Sequence, residues 1–534
     1  MKVKGIEKVS VWVVTIIMAV FLLPLVVISF PHSYINIMRS MEKVFLCEYN
    51  TFGVLFNVLI FTVLLCLVCR LLCCIPERKG RIIVPVVVAA LSFAAALYWV
   101  LGSKTYPQAD QEYTYKAGLL LAQGKGMLLQ EPDVASYIQM YQQQLSLAMF
   151  YNILFKLTRI ESFKILLILN AICVPVIIIS VYAITYKITG KYNCSIIVLM
   201  LTASCLPMYF YTSFAYGELI STAFALLCVV FAMNIMDGLA VRFVDMGTGH
   251  KVRYILNYAG CFVFAFFAAM TRLNSIIVMI AISSVVFVKS VSSKRFRGMF
   301  VIVAVILGAL LPGKLSKTIY AQELQGSDGM PSLLWIAMGM QDSDGLCGWT
   351  NYYNAVTYEA SGYNAQTASQ MAWHDIGDRL EYFRDNPGEA VQFYFKKFES
   401  QWNCPMYQSV QMNSRLDGQP VPIADNILNF GRLYEYVRAF VNVHQSVVYL
   451  FAFAGLIIML TQKKGIESYI LCVAVVGGML FSLLWEAKAR YCFPYYIFMF
   501  PMAAIAIGGV CDGSGALGKR FLPKTKKAQE AAAQ

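Results

Sequence analysis

The stretch YPQADQEYTYKAGLLLAQG (106–124) places two carboxylates, Asp110 and Glu112, directly behind an apolar run at 82–102. A carboxylate at a membrane surface can serve as general base towards a hydroxyl or amine acceptor. A pair at i and i+2 is equally accounted for by solvated loop charges, or by acids favoured at the N-terminus of the helix that follows. More charged residues lie at the ends of later apolar runs. YFYTSFAYGE (209–218) ends in Glu218, MTRLNS (270–275) carries Arg272 and Asn274, and LWEAKARYCFPYY (484–496) carries Glu486, Lys488 and Arg490. The cations are either interfacial side chains whose heads snorkel to water or ligands for phosphate. Glu486 and Arg490, four apart, match a helical ion pair. Acids at 110, 112 and 218 with cations at 272, 488 and 490 suit a transferase that takes a group from an anionic lipid phosphate.

The elements that must position these residues are membrane spans. Of the 534 residues, 59% are hydrophobic and only 14% charged, with a mean hydropathy of +0.61. A soluble domain carries nearer about a quarter charged residues, so the chain is expected to be an all-α polytopic membrane protein. Twelve spans are predicted: 9–30, 51–73, 82–102, 162–186, 193–212, 216–236, 254–271, 274–290, 298–315, 440–461, 467–485 and 491–511. The first run exceeds the roughly 7–15 residues of a signal-peptide core and is read as a retained span.

Twelve spans put every basic cluster on one side: Lys2/Lys4/Lys8, Arg70/Arg78/Lys79/Arg81, Lys187/Lys191, Arg242/Lys251/Arg253, Lys289/Lys294/Arg295/Arg297, Lys463/Lys464 and Lys519/Arg520/Lys524/Lys526/Lys527. By the positive-inside rule that side is the cytoplasm, with both termini in it, in a bacterial plasma membrane. The net charge of +13 is therefore a topology signal, and no nucleic-acid partner is expected. Counting 137–157 (YIQMYQQQLSLAMFYNILFKL) as a thirteenth span would move the next four loops across the membrane. Its Gln- and Tyr-rich first half predicts instead an amphipathic helix in the outer interface.

The resulting organisation is three spans in 1–102, an external catalytic loop 103–161 with interfacial helices near 110–124 and 137–157, and a six-span core 162–315. An external, mainly helical domain (316–438), three further spans (439–511) and a basic cytoplasmic tail (512–534) follow. The external domain holds 14 Asp and Glu against 8 Lys and Arg. Within it, 385–402 is a well-signalled helix, with Asn386 as cap, Pro387 at the first position and Glu389 in the first turn.

With these motifs in order, the chain resembles the GT-C superfamily of membrane glycosyltransferases, in the branch with protein mannosyltransferases and lipid A aminoarabinose transferases. The resemblance runs through ADQEYTYKAGLLLAQG, YIQMYQQQLSLAMFYNILFKL, YGE (216–218), TRLNS (271–275), NPGEAVQFYFKKFESQW (386–402) and WEAKARYCFPY (485–495). It implies a polyprenyl-phosphate sugar donor, a single inverting displacement and no cofactor, with a divalent cation the less favoured option. It also implies Asp110 as general base, Glu112 as a positioning acid, Glu218 as a supporting acid, and Arg272, Lys488 and Arg490 as ligands of the leaving phosphate. The acceptor is left open among protein, lipid and cell-wall polymer. The chain departs from the family pattern in placing Gln111 between its acids and more than one span before the loop.

Other features carry less. Tyr141 and Gln142–Gln144 either contact substrate, Tyr141 and Gln144 foremost, or anchor an interfacial helix. His374 and His444 read as ordinary surface or interface residues. Trp335, Trp349, Trp373 and Trp402 either pack the external domain or stack on sugar, packing foremost. GMQDSDG (339–345) lacks the remaining ligands of a calcium loop. Of the fifteen cysteines, most lie in apolar runs as small hydrophobes, and none has zinc-site spacing. The competing functions are a flippase or transporter of lipid-linked saccharide, a polysaccharide polymerase or ligase, and a non-catalytic assembly factor.

Overall fold

In lipid each backbone polar group must be satisfied within its own segment, so long apolar runs become helices. A computed structural model describes residues 2–36, 43–239, 246–413 and 415–521, without the side chains of 2–4 and 513–521. Arg242, Lys524, Lys526 and Lys527 lie outside the described residues, as do the side chains of Lys2, Lys4, Lys519 and Arg520. The protein is an all-α polytopic membrane protein. Among the described residues ten helices are long and apolar enough to cross a membrane, and twelve segments result if each of two bent pairs counts as one. The pairs are Tyr192–Ala203 with Leu206–Ser213, bent by 52°, and Ala489–Phe498 with Phe500–Asp512, bent by 45°. Pro207 and Pro501 stand just after the two breaks, where a missing N–H and the ring prevent the preceding helix from running on.

Burial separates the centre of the bundle from its rim. Only 28–33% of the first three spans is covered by protein, against 72% of Glu218–Gly238, which makes the helix that begins with Glu218 the central one. Lipid tails are as apolar as leucine, so close packing and buried hydrogen bonds hold such helices together. Gly455 shows the first: a Cβ there would lie 1.9 Å from the Met502 carbonyl oxygen. His444 shows the second, with Nδ1 2.6 Å from the Tyr496 hydroxyl and Nε2 2.9 Å from the Leu201 carbonyl. It is buried inside the bundle, whereas His374 is exposed beside Asp378.

At one end of the bundle the basic residues meet acids. Lys289 lies 2.7 Å from Glu467 and 3.7 Å from Glu7, Lys187 2.6 Å from Asp237, and Lys191 3.3 Å from Asp512. The other end carries the two long polar segments. The first contains helices Asp110–Gln123, Met127–Gln130, Pro132–Met140 and Leu145–Thr158. The single helix expected over 137–157 is thus divided. Tyr141 leaves helical geometry (φ −107°, ψ 60°) and a short 3-10 turn, Gln142–Gln144, follows. Leu145–Thr158 is about 21 Å long at 1.5 Å per residue, too short for a hydrocarbon core of roughly 30 Å.

The second polar segment folds into helices Leu333–Met338, Tyr353–Ala360, Ala365–Asp385, Pro387–Trp402 and Pro422–Leu428. Pro387 stands at the start of its helix as expected, but the Asn386 side chain does not cap it. Ala365–Asp385 runs directly up to Asn386, whose amide donates back to the Tyr382 carbonyl (3.0 Å). GMQDSDG forms a tight hairpin, Asp342–Ser343 against Leu346–Cys347. Its acids face cations, Asp342 with Arg379 and Asp344 with Lys43.

Candidate functional site

The site begins with a strained residue. Ala109, at φ 48°, immediately precedes helix Asp110–Gln123. A non-glycine residue at positive φ persists only where its surroundings fix it. Here Gln111 does so, fully buried, its Oε1 accepting from the Ala215 N–H at 3.1 Å. The residue that separates the two acids is therefore the pin joining this loop to segment 214–217.

That segment presents Tyr216 as a hub. Its hydroxyl donates to Asp110 Oδ2 (3.2 Å) and accepts from Gln144 Nε2 (2.7 Å). With its one proton committed to Asp110, Tyr216 receives the Tyr137 hydroxyl proton as well, at 3.2 Å. Burial first, then the charge of Asp110, hold the Tyr216 and Tyr137 hydroxyls well above the usual tyrosine range. Tyr216 thus remains a donor to the carboxylate. Gly217 follows at φ 94°, and a Cβ there would meet the Thr271 carbonyl oxygen at 2.2 Å, so only glycine brings these two span ends so close.

Glu218 and Arg272 stand on either side of that contact. Arg272 Nη2 lies 3.0 Å from Glu218 Oε1, and its guanidinium stacks over the Tyr216 ring at 4.8 Å. Burial disfavours the Arg272 charge, but Glu218 together with the Tyr491 and Tyr216 hydroxyls outweighs it and the pKa rises. Arg490 lies over the same Tyr216 ring at 5.4 Å, and its backbone N–H donates to Gln408 Oε1 (3.2 Å). Glu486 accepts from the Tyr491 hydroxyl (2.7 Å) and lies 3.6 Å from Lys488 Nζ. The expected i, i+4 geometry between Glu486 and Arg490 does not arise, because the helix starts only at Ala489.

Together these residues line a cavity of about 410 Å³ at the end of the bundle. Asp110, Tyr141, Gln144, Arg272, Lys488 and Arg490 all face it, with Glu486 and Tyr216. Tyr141 meets Trp335 edge-on at 6.1 Å, and burial with the nearby Asp110 pushes its hydroxyl up to about 12. Glu218 instead lines an adjoining slot, which continues from Arg272 and Arg490 along Ser221, Ala225, Val278, Pro494 and Phe498 between three spans. Glu112 faces neither. Two residues along a helix turn the side chain about 200° away, and it pairs with Arg415 (2.5 Å) and Lys116 (3.4 Å).

Sequence reasoning missed several members. Tyr216 lay inside a quoted motif without a role, and Tyr137 and Tyr491 carried no signal. Trp335 lines the cavity, stacked on Trp485 with ring centroids 5.7 Å apart. Trp349 and Trp402 are buried packing residues that donate to Ser400 (2.9 Å) and Ser482 (2.9 Å), while Trp373 is exposed. Lys397 is wholly buried, its amine donating to the carbonyls of Gly339 (2.5 Å) and Leu483 (2.8 Å). Burial lowers its pKa to about 7 despite the opposing pull of Glu486. Among the described residues no group of three or more His, Cys, Asp and Glu is placed to hold a metal ion.

Fold and site thus define a polytopic helical membrane protein with a charged cavity at one end of its bundle. Compared with known proteins, the chain matches no family model and no curated sequence.

Proposed function

We propose that the protein is a GT-C-type membrane glycosyltransferase that transfers one sugar from a polyprenyl phosphate to an acceptor on the outer side of the membrane. The observation that carries this reading is the convergence of Asp110 with Arg272, Lys488 and Arg490, from three distant segments, in one cavity. Beside it, a slot leads from the two arginines between spans, along apolar side chains. A phosphate at the mouth of the slot would meet both arginines.

In the proposed step Asp110 takes the proton of an acceptor hydroxyl or amine. The freed lone pair attacks the anomeric carbon from the face opposite the phosphate, with inversion. The bond from that carbon to the phosphate oxygen breaks and its electron pair leaves with the polyprenyl phosphate, whose charge Arg272, Lys488 and Arg490 neutralise. Tyr216 fixes the Asp110 carboxylate through one oxygen, leaving the other for the acceptor. General-base catalysis of this kind supplies about 10²–10⁴-fold, and preorganised cations at the developing charge several kcal/mol more. Glu218 holds Arg272 in place, and Glu112 lies away from the reacting groups. The positive-inside rule supports a cavity on the outer side and termini in the cytoplasm, since Lys187, Lys191 and Lys289 gather at the opposite end.

The test is reconstitution of the purified protein with labelled polyprenyl-phosphate sugars, comparing wild type with Asp110→Asn. Transfer is expected to fall about 10²–10⁴-fold in the variant. Equal transfer by both would remove Asp110 as base, and transport of donor without transfer would establish a flippase. Cysteine labelling at positions 110 and 272 checks sidedness, and cytoplasmic accessibility of either would overturn it.

A further inference from the structure

The cavity has two chemically different walls. Among the described residues, the charged side chains that line it, Asp110, Arg272, Glu486, Lys488 and Arg490, all come from segments at span ends. The wall contributed by the external domain has none. Ser332, Trp335, Thr350, Tyr352 and Asn354 supply hydroxyls, one amide and aromatic rings, and Gln143 adds an exposed amide from the neighbouring turn. A cationic peptide or a second phosphate would find no opposite charge on this wall, and an acyl chain would find too many polar groups. Neutral hydrogen-bonding side chains among ring faces match a polyhydroxylated molecule, whose C–H faces stack on aromatics while its hydroxyls exchange hydrogen bonds with amides.

Two further observations set this wall apart from ordinary surface. Tyr352 is held at φ 63°, which is rare for a bulky residue, yet its side chain is well exposed and faces the cavity. The backbone behind it is clamped to the segment that carries the cations. The Ala487 N–H donates to the Gly348 carbonyl (2.7 Å), between Glu486 and Lys488, and the neighbouring Trp349 is buried against Ser400. The neutral wall and the charged wall are therefore fixed relative to one another.

We infer that this external-domain wall is the acceptor subsite and that the acceptor is a neutral glycan, recognised by Tyr352 through its exposed ring and by Asn354 and Gln143 through hydrogen bonds. The inference rests on the transferase reading for the word acceptor, but the binding it asserts can be measured without turnover. The full-length protein in nanodiscs is titrated with neutral trisaccharides of glucose, galactose, mannose and N-acetylglucosamine, with a neutral Ser/Thr tripeptide, and separately with undecaprenyl phosphate. Saturation-transfer NMR reports saccharide binding. At least one trisaccharide is expected to bind, with at least tenfold loss in Tyr352→Ala and Asn354→Ala. Both variants should bind undecaprenyl phosphate within twofold of wild type, which also shows that they are folded. Binding of no trisaccharide, displacement of the bound saccharide by the tripeptide, or unchanged binding in both variants would overturn the inference. Saccharide binding without any binding of undecaprenyl phosphate would instead refute the donor half of the proposed function and leave the glycan subsite standing.

Discussion

Glu218→Gln should make the protein less stable and its affinity for lipid phosphate higher. In the structure Glu218 Oε1 is 3.0 Å from Arg272 Nη2, with side-chain exposures of 3% and 14%. An amide oxygen can retain the hydrogen bond but not the charge, so Arg272 would be left as a buried, uncompensated cation. Breaking such a pair from one side costs about 3–5 kcal/mol. A phosphate seated on Arg272 would lie about 6 Å from the Glu218 carboxylate. At an effective dielectric of about 20, their repulsion is about 2.8 kcal/mol. Removing it tightens phosphate binding by up to about a hundredfold, at 1.4 kcal/mol per decade. Two measurements suffice: thermal unfolding in nanodiscs, and titration with undecaprenyl phosphate. The melting temperature of the free variant should fall, and the rise on saturation with the lipid should exceed that of wild type, because ligand that binds only the folded state stabilises in proportion to the logarithm of its affinity. A folded variant that binds the lipid no better than wild type would refute the placement of phosphate on Arg272.

Two other substitutions separate catalytic from structural roles. Glu112→Gln removes exposed pairs with Arg415 and Lys116, worth about 1 kcal/mol or less. Transfer should stay within about threefold of wild type, and a loss comparable to Asp110→Asn would put Glu112 back at the reacting centre. Lys397 has a folded pKa of about 7, lowered by burial from 10.5. Between those values the unfolded chain holds the extra proton, so stability rises with pH from about 7, by about 1.4 kcal/mol per unit, and changes no further below 7. Unfolding followed from pH 7 to 9 should show that slope in wild type and lose it in Lys397→Met; parallel profiles would show that the lysine stays charged.

What the sequence made legible follows from range. Spans depend on local hydropathy, and twelve apolar segments recur in the structure once the bent pairs are counted. Asp110, Arg272 and Lys488 could be singled out because a charge at the end of an apolar run is conspicuous whatever it touches. Partners could not be read that way. Glu486 and Arg490 have helical spacing but precede and enter a helix that begins only at Ala489. The break at Tyr141 was invisible because neither Tyr nor Gln interrupts a helix by propensity; contacts distant in sequence divide it, Gln142 reaching Ser327 and Gln144 reaching Tyr216. Gln111 looked like an interruption of an acidic pair, and only its bond to Ala215 shows that it anchors the loop. Lys397, one of two adjacent lysines on an amphipathic helix, gave no sign of burial, because periodicity marks apolar faces and not the single charge turned into one.

The cavity and slot together hold three acids, Asp110, Glu218 and Glu486, against three cations, Arg272, Lys488 and Arg490. Each acid has a donor of its own: Tyr216 for Asp110, Arg272 for Glu218, and Tyr491 with Lys488 for Glu486. Such a set is less costly to bury than a bare cluster of cations, since Arg272 and Lys488 each face a carboxylate. The same balance bears on the proposed reaction. When Asp110 takes the acceptor proton, one negative charge is lost at the carboxylate just as the leaving phosphate gains one. The charge shifts from the Tyr216 side of the cavity towards Arg272 and Arg490, which already stack on the Tyr216 ring. No net charge appears in a desolvated space. On this account the three acids do different work: Glu218 holds Arg272 and Glu486 lies beside Lys488 before the phosphate arrives, and Asp110 alone changes protonation during transfer.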